Sequence, residues 1–232
     1  MRNSRLYRMQ KVFLYIILVF TTSIAEAQND SLRIKQRISL SGGVSYLLFA
    51  TKSQMANDLR SYYNHLSQSN QLNFTYTNYL WSENGIGIQV DYFQSSNSQN
   101  FLYDNTASAL FRSGAMSDQL FMIYAGPEFS SRIKMTSEAV WFISGFSAGI
   151  LYSENKYIFF DRKGNASAIN PAIAVRSGFD FFPVQDLAIG IEGSYLIGIT
   201  KNVGLYKEIS QLNDLNDLSR LSVSLGLRFY FK

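Results

Sequence analysis

The residues before the terminal lysine read LSVSLGLRFYF, positions 221–231. Leu221, Val223, Leu225, Leu227, Phe229 and Phe231 are apolar; Ser222, Ser224, Gly226, Arg228 and Tyr230 alternate with them. A period of two puts one set on each face of a β-strand. The last strand therefore carries a continuous greasy face at a place where most chains fray. Such a strand needs a partner along its edge and an apolar medium against its face.

The same period recurs through the chain. A first strand, about 36–49, sets Ile38, Leu40, Val44, Tyr46 and Leu48 against Arg37, Ser39, Ser41, Gly43 and Ser45. A second, about 71–81, sets Leu72, Phe74, Tyr76 and Leu80 against Asn73, Thr75 and Thr77. A third, about 85–95, sets Ile86, Ile88, Val90 and Tyr92 against Gly85, Gly87, Gln89 and Asp91. The fourth (about 118–129) and fifth (about 138–152) are apolar on both faces, and the pattern does not assign their facing. The sixth, about 167–182, sets Ile169, Ile173, Val175 and Phe179 against Asn170, Ala172, Ala174, Arg176, Gly178 and Asp180. The seventh, about 186–199, sets Leu187, Ile189, Ile191, Tyr195 and Ile197 against Ala188, Gly190, Glu192, Ser194 and Gly198. Ordinary strands cluster near five or six residues. Most of these eight are 10 to 14 residues long, the length of a tilted membrane-crossing strand of roughly 9–11.

The connections alternate in length. Residues 50–70, 96–117, 153–166 and 200–218 are long and rich in Ser, Asn, Asp and Tyr; 82–84, 130–137 and 183–185 are short. With both termini on one side, all short turns share that side and all long loops the other.

A targeting leader precedes the strands. Arg2, Arg5, Arg8 and Lys11 form a basic start, Val12–Phe20 an apolar stretch, and Ala25-Glu26-Ala27 a small-x-small cleavage site. Its apolar part is short for a membrane span of about 20 residues, so cleavage before Gln28 is expected. The leader holds four of the 21 Lys+Arg and one of the 17 Asp+Glu. That leaves 17 basic against 16 acidic residues, a net of +1, which supports no inference of nucleic-acid binding. The chain has no cysteine, so disulfides, zinc-thiolate sites and cysteine lipid anchors are excluded.

Alternation alone does not say which face is outside. A soluble barrel hides its apolar face, whereas a membrane barrel turns it to lipid and fills its interior with polar groups. Three features favour the second arrangement. The polar face is mainly Gly, Ala, Ser, Thr and Asn with isolated charges, suited to a narrow interior that side chains fill. The aromatics fall near strand ends, in two bands: Tyr46, Tyr92, Tyr152 and Tyr195 toward the long loops; Trp81, Phe129, Phe179, Phe181, Phe229 and Phe231 toward the short turns. The short sixth-to-seventh turn suggests a register with Arg176 opposite Glu192 and Phe182 opposite Asp186; Arg176 and Glu192 then point inward with Asp91 and Arg228. A lumen network of Asp91, Arg176, Glu192 and Arg228 is expected.

Leader, eight alternating strands, long–short rhythm and C-terminal LSVSLGLRFYF together resemble the small eight-stranded outer-membrane β-barrels of the OmpA/OmpX type, and especially the barrel-domain family abundant in Bacteroidetes. The resemblance implies an all-β, antiparallel up-and-down transmembrane barrel behind a cleaved signal peptide. The domain organisation expected is a leader at 1–27, a short periplasmic segment at 28–35 and the barrel at 36–232. It further implies contact with outer-membrane lipids and lipopolysaccharide, insertion by the barrel-assembly machinery that reads the last strand, and an envelope protein partner at the extracellular loops. Lys232 after Phe231 departs slightly from a terminal aromatic. The role expected is envelope structure, adhesion, assembly or secretion, without catalysis and without a cofactor or metal.

Two alternatives carry chemistry. His65, the sole histidine, lies in the first long loop, where with a serine and Asp58 or Asp104 it would serve a lipid A-modifying enzyme. A soluble periplasmic lipocalin-like carrier requires the greasy face inside. Gly145-Phe146-Ser147-Ala148-Gly149 matches G-x-S-x-G, but the surroundings read as continuous strand rather than strand–turn–helix.

Overall fold

Period-two segments of this length pair with their neighbours and close on themselves. The computed structural model describes residues 35–48, 57–81, 83–105, 110–135, 139–159, 162–198 and 218–232. Eight strands form one closed antiparallel barrel in chain order: β1 (Gln36–Leu47), β2 (Gln68–Tyr79), β3 (Asn84–Asn105), β4 (Leu110–Lys134), β5 (Val140–Phe159), β6 (Arg162–Val184), β7 (Leu187–Gly198) and β8 (Arg220–Phe231). One helix, α1 (Asn57–Ser67), precedes β2. The leader, residues 28–34 and residues 199–217 lie outside the described residues.

The C-terminal strand is the seam. β8 pairs with β7 on one side and β1 on the other, with Leu40 opposite Leu227 and Val44 opposite Val223. The Lys35 N–H donates to the Phe231 carbonyl at 2.8 Å, so both described ends meet at the short-turn side. In lipid no backbone group finds water, so only closure satisfies the edge strands.

The polarity is reversed relative to a soluble barrel. Leu225 is 62% exposed and Leu40 58%, while Arg228 and Arg37 are 0% exposed. Serine and threonine fill the same inward rows: Ser39, Ser41, Thr75, Thr77, Ser222 and Ser224 are all buried. The lipocalin-like alternative is thereby overturned, because its greasy face would have to point inward.

Four strands run well past the other four, which corrects the expected long loops. Residues 96–117 and 153–166 belong largely to paired strand, since β3 and β4 pair from Asn84↔Ser131 out to Asn105↔Leu110, and β5 and β6 from Val140↔Phe181 out to Phe159↔Arg162. Ser- and Asn-rich sequence reads as loop, but a hairpin ladder satisfies its backbone outside the bilayer. The outward face changes character where the membrane ends. Along β5 it passes from Phe146, Ile150 and Tyr152 to Glu154 and Lys156; along β3 from Val90 and Tyr92 to Gln94, Ser96 and Ser98. Tyr92, Phe121 and Tyr152 form an edge-to-face chain at that boundary, with ring centroids 5.5 and 6.2 Å apart. Of the expected girdle, Tyr46, Trp81, Phe179, Tyr195, Phe229 and Phe231 are exposed on the outside. Trp81 sits past the end of β2, in the turn rather than in the strand.

The sixth-to-seventh register also needs correction. Arg176 lies opposite Ser194, and Glu192 opposite Gly178, two residues from the expected pairing. Pro183 reads as a turn residue, but β6 continues through it to a tight turn at 185–186, with a bulge between Phe181 and Val184. Proline is tolerated at such irregular strand ends.

Candidate functional site

The fourth and fifth strands resist assignment from sequence because they line two apolar layers inside the barrel. β4 turns Met116, Leu120, Met122, Tyr124, Glu128 and Arg132 inward; β5 turns Trp141, Ile143, Ser147 and Leu151 inward. From the short turns to the mouth, the lumen therefore holds an aromatic floor, an ionic middle and an apolar cap.

The ionic middle ties distant strands together. The Arg176 Nε donates to Glu128 Oε1 at 2.9 Å, its Nη2 reaches the same carboxylate, and its Nη1 donates to Glu192 Oε2 at 2.6 Å. The reach to Glu192 is diagonal, across Gly178. Arg228 Nε lies 3.2 Å from Asp180 Oδ1 and its Nη2 3.8 Å from Glu192 Oε2, and Arg37 Nε lies 3.4 Å from Asp180 Oδ2. Glycines make the room: a Cβ on Gly145 would meet Glu128 Oε1 and Arg176 Nε at 2.6 and 2.8 Å. The chain of Glu128, Arg176, Glu192, Arg228, Asp180 and Arg37 thus links β4, β6, β7, β8 and β1.

Of the four charges expected to meet in the lumen, Arg176, Glu192 and Arg228 join this chain. Asp91 instead pairs with Arg220 and accepts from Asn73 Nδ2 at 3.4 Å. This second pair lies nearer the mouth, because Arg220 is the first residue of β8. Glu128, Asp180, Arg37 and Arg220 are functional members that the expected network lacks. Inward parity is the available signal for Arg37 and Asp180, whereas Glu128 lies on a strand whose faces the pattern leaves unassigned.

The cap is helix α1. Tyr62, Tyr63 and Leu66 recur at helical spacing, are buried, and pack against Leu47, Phe93, Met116, Leu120, Leu151, Leu196 and Leu218. The Tyr62 hydroxyl donates to Asp118 Oδ2 at 2.7 Å, Asn97 Nδ2 donates to the Tyr62 carbonyl at 2.8 Å, and Ser95 Oγ donates to the Leu66 carbonyl at 2.6 Å. Burial, then the adjacent Asp118 charge, holds the Tyr62 phenol well above its ordinary value, and the same two causes raise Tyr63. A raised folded value means that this docking is fully stable below the unfolded tyrosine value of about 10 and weakens as pH rises above it. In an absorbance titration at 295 nm, Tyr62→Phe/Tyr63→Phe should remove two tyrosinates from the late phase; their loss from the earliest phase instead would contradict the buried geometry.

His65 sits on the exposed side of α1, its Nδ1 2.8 Å from the Ser61 carbonyl of its own helix. The side chains of Asp58 and Asp104 lie outside the described residues. Ser147 lies mid-strand inside the barrel, accepting from the Tyr124 hydroxyl at 2.8 Å and donating to Gln89 Oε1 at 2.7 Å. It has neither an elbow nor a histidine.

A closed, antiparallel, inside-out barrel of eight strands is the fold of the small outer-membrane β-barrel proteins. No protein-family model matches the chain, and no curated protein matches it in sequence. Among solved structures, the chain is similar to Neisserial surface protein A, at 11% identity over 84% of this chain and 97% of that one, with a TM-score of 0.48. It is also similar to the outer membrane protein OprG of Pseudomonas aeruginosa (10% identity, 85% and 97% covered, TM-score 0.46) and to Ail, the attachment invasion locus protein of Yersinia pestis (16% identity, 85% and 100% covered, TM-score 0.43). These are likenesses of fold; the class follows from closure and reversed polarity.

Proposed function

We propose that the protein is an integral outer-membrane barrel that works at its surface and not through its lumen. The leader exports it, and the assembly machinery that reads the aromatic-ended β8 inserts it. The observation that carries this reading is the filled interior: a packed aromatic floor, six linked charges and a docked helix leave side chains where a pore would run. What faces outward beyond the lipid is the double hairpin of β3–β4 and β5–β6 beside α1. Such a platform suits contact with lipopolysaccharide, with another envelope protein or with an external surface, and needs no cofactor.

Purified barrel in planar bilayers should give no large, stable conductance; porin-sized steps would refute the filled lumen. His65→Ala should leave lipid A unchanged by mass spectrometry, and a His65-dependent change would establish the enzymatic alternative instead.

A further inference from the structure

At the short-turn end of the lumen, Tyr79, Trp141, Ile143, Ala188 and Tyr230 form a buried floor with Phe182 against it. The Trp141 ring centre lies 4.8 Å from that of Phe182, tilted, and 5.5 Å from that of Tyr230, edge-to-face. The Arg132 guanidinium carbon lies 3.8 Å from the Tyr79 ring centre and 4.9 Å from that of Trp141, and the Arg37 guanidinium carbon lies 6.0 Å from Tyr230. Arg37 and Tyr79 are diagonal neighbours on one inward face, since Arg37 pairs with Thr77 and the Tyr79 N–H donates to the Lys35 carbonyl.

The floor is rich in donors. Arg37 Nη1 and Nη2, the Tyr79 hydroxyl and Trp141 Nε1 are buried and have no hydrogen-bond partner among the described residues. Arg37, Tyr79 and Trp141 are 0%, 6% and 5% exposed. Asp180, a carboxylate that reaches this level, is already engaged by Arg37 Nε, Arg228 Nε and the Tyr230 hydroxyl at 3.4, 3.2 and 2.5 Å. Buried donors of this kind require an acceptor. With two guanidinium nitrogens of Arg37 among them, the acceptor best matched to them is negatively charged, because charge-assisted hydrogen bonds are the stronger ones.

We infer that the floor of the lumen is a binding site for a small anion, of halide or single-carboxylate size, held by Arg37, the Tyr79 hydroxyl and the Trp141 indole N–H. The ion completes the floor and locks the barrel where its two ends meet.

Trp141 is one of two tryptophans, and Trp81→Phe removes the other, exposed one. The folded barrel of this variant is titrated with sodium iodide in micelles, with sulfate holding ionic strength constant. Binding beside the indole gives saturable quenching that chloride and acetate reverse. Adding Tyr79→Phe, which keeps the ring against Arg132, should raise the half-saturating concentration about tenfold or more, as for a lost hydrogen bond to a charged group. Crystals grown in bromide should show an anomalous peak between the three side chains. Linear or absent quenching, a curve unmoved by Tyr79→Phe, or no bromide peak would mean that water satisfies these donors and would overturn the assignment. Arg37→Gln, if it folds, should abolish saturation; retained saturation counts against the site.

Discussion

Replacing Arg176 with Met should destabilise the folded barrel by about 3–5 kcal/mol, the usual cost of removing one partner from a buried ion pair. Glu128 and Glu192 both lean on this guanidinium, and both are buried. Without it, Glu192 keeps only the longer contact to Arg228 at 3.8 Å, and Glu128 loses the guanidinium that both its hydrogen bonds reach. The loss reflects stranded charge more than the intrinsic worth of the pairs, since desolvation offsets much of the Coulombic gain. Arg176→Met/Glu128→Gln/Glu192→Gln should therefore recover a large part of the stability. Urea unfolding in lipid vesicles, followed by heat-modifiable gel mobility, measures each step. If Arg176→Met and Glu192→Gln add without coupling, the diagonal contact across Gly178 is not an interaction.

Leu225→Arg should cost about 2–4 kcal/mol in a bilayer, the penalty for a cation on the lipid face near the midplane of a barrel. Leu225 lies opposite Gly42 and Ile191, midway along β8, and points away from the lumen. The same change on a water-facing strand would cost little. A neutral result in vesicles would mean that the exposed rows are not in lipid, and would refute the membrane placement.

These two residues also show how far the sequence alone carries. Leu225 and Arg228 are an odd number of positions apart, so their opposite facing follows from period two wherever β8 is a strand. Parity likewise places Arg37, Asp180 and Glu192 on the inward face. It fails on β4 and β5, where Leu120, Met122 and Trp141 face inward beside outward Phe121, Ile123 and Phe142. The inward face there packs against α1 and the aromatic floor, so both faces are apolar for different reasons.

The alternating strands and the opposite facing of their greasy and polar rows are set locally, because side-chain direction repeats every two residues and length is bounded by the bilayer. Which charges meet is not. Arg176 finds Glu128 48 positions away along the chain, and Arg220 finds Asp91 129 positions away. Those meetings depend on strand stagger, on the bulge near Pro183 and on glycines that leave space. The docking of α1 and the gathering of donors at the floor depend on the same long-range geometry. Period is a property of the chain; register across a closed lumen is a property of the fold, because a shift of two residues preserves every facing and exchanges every partner.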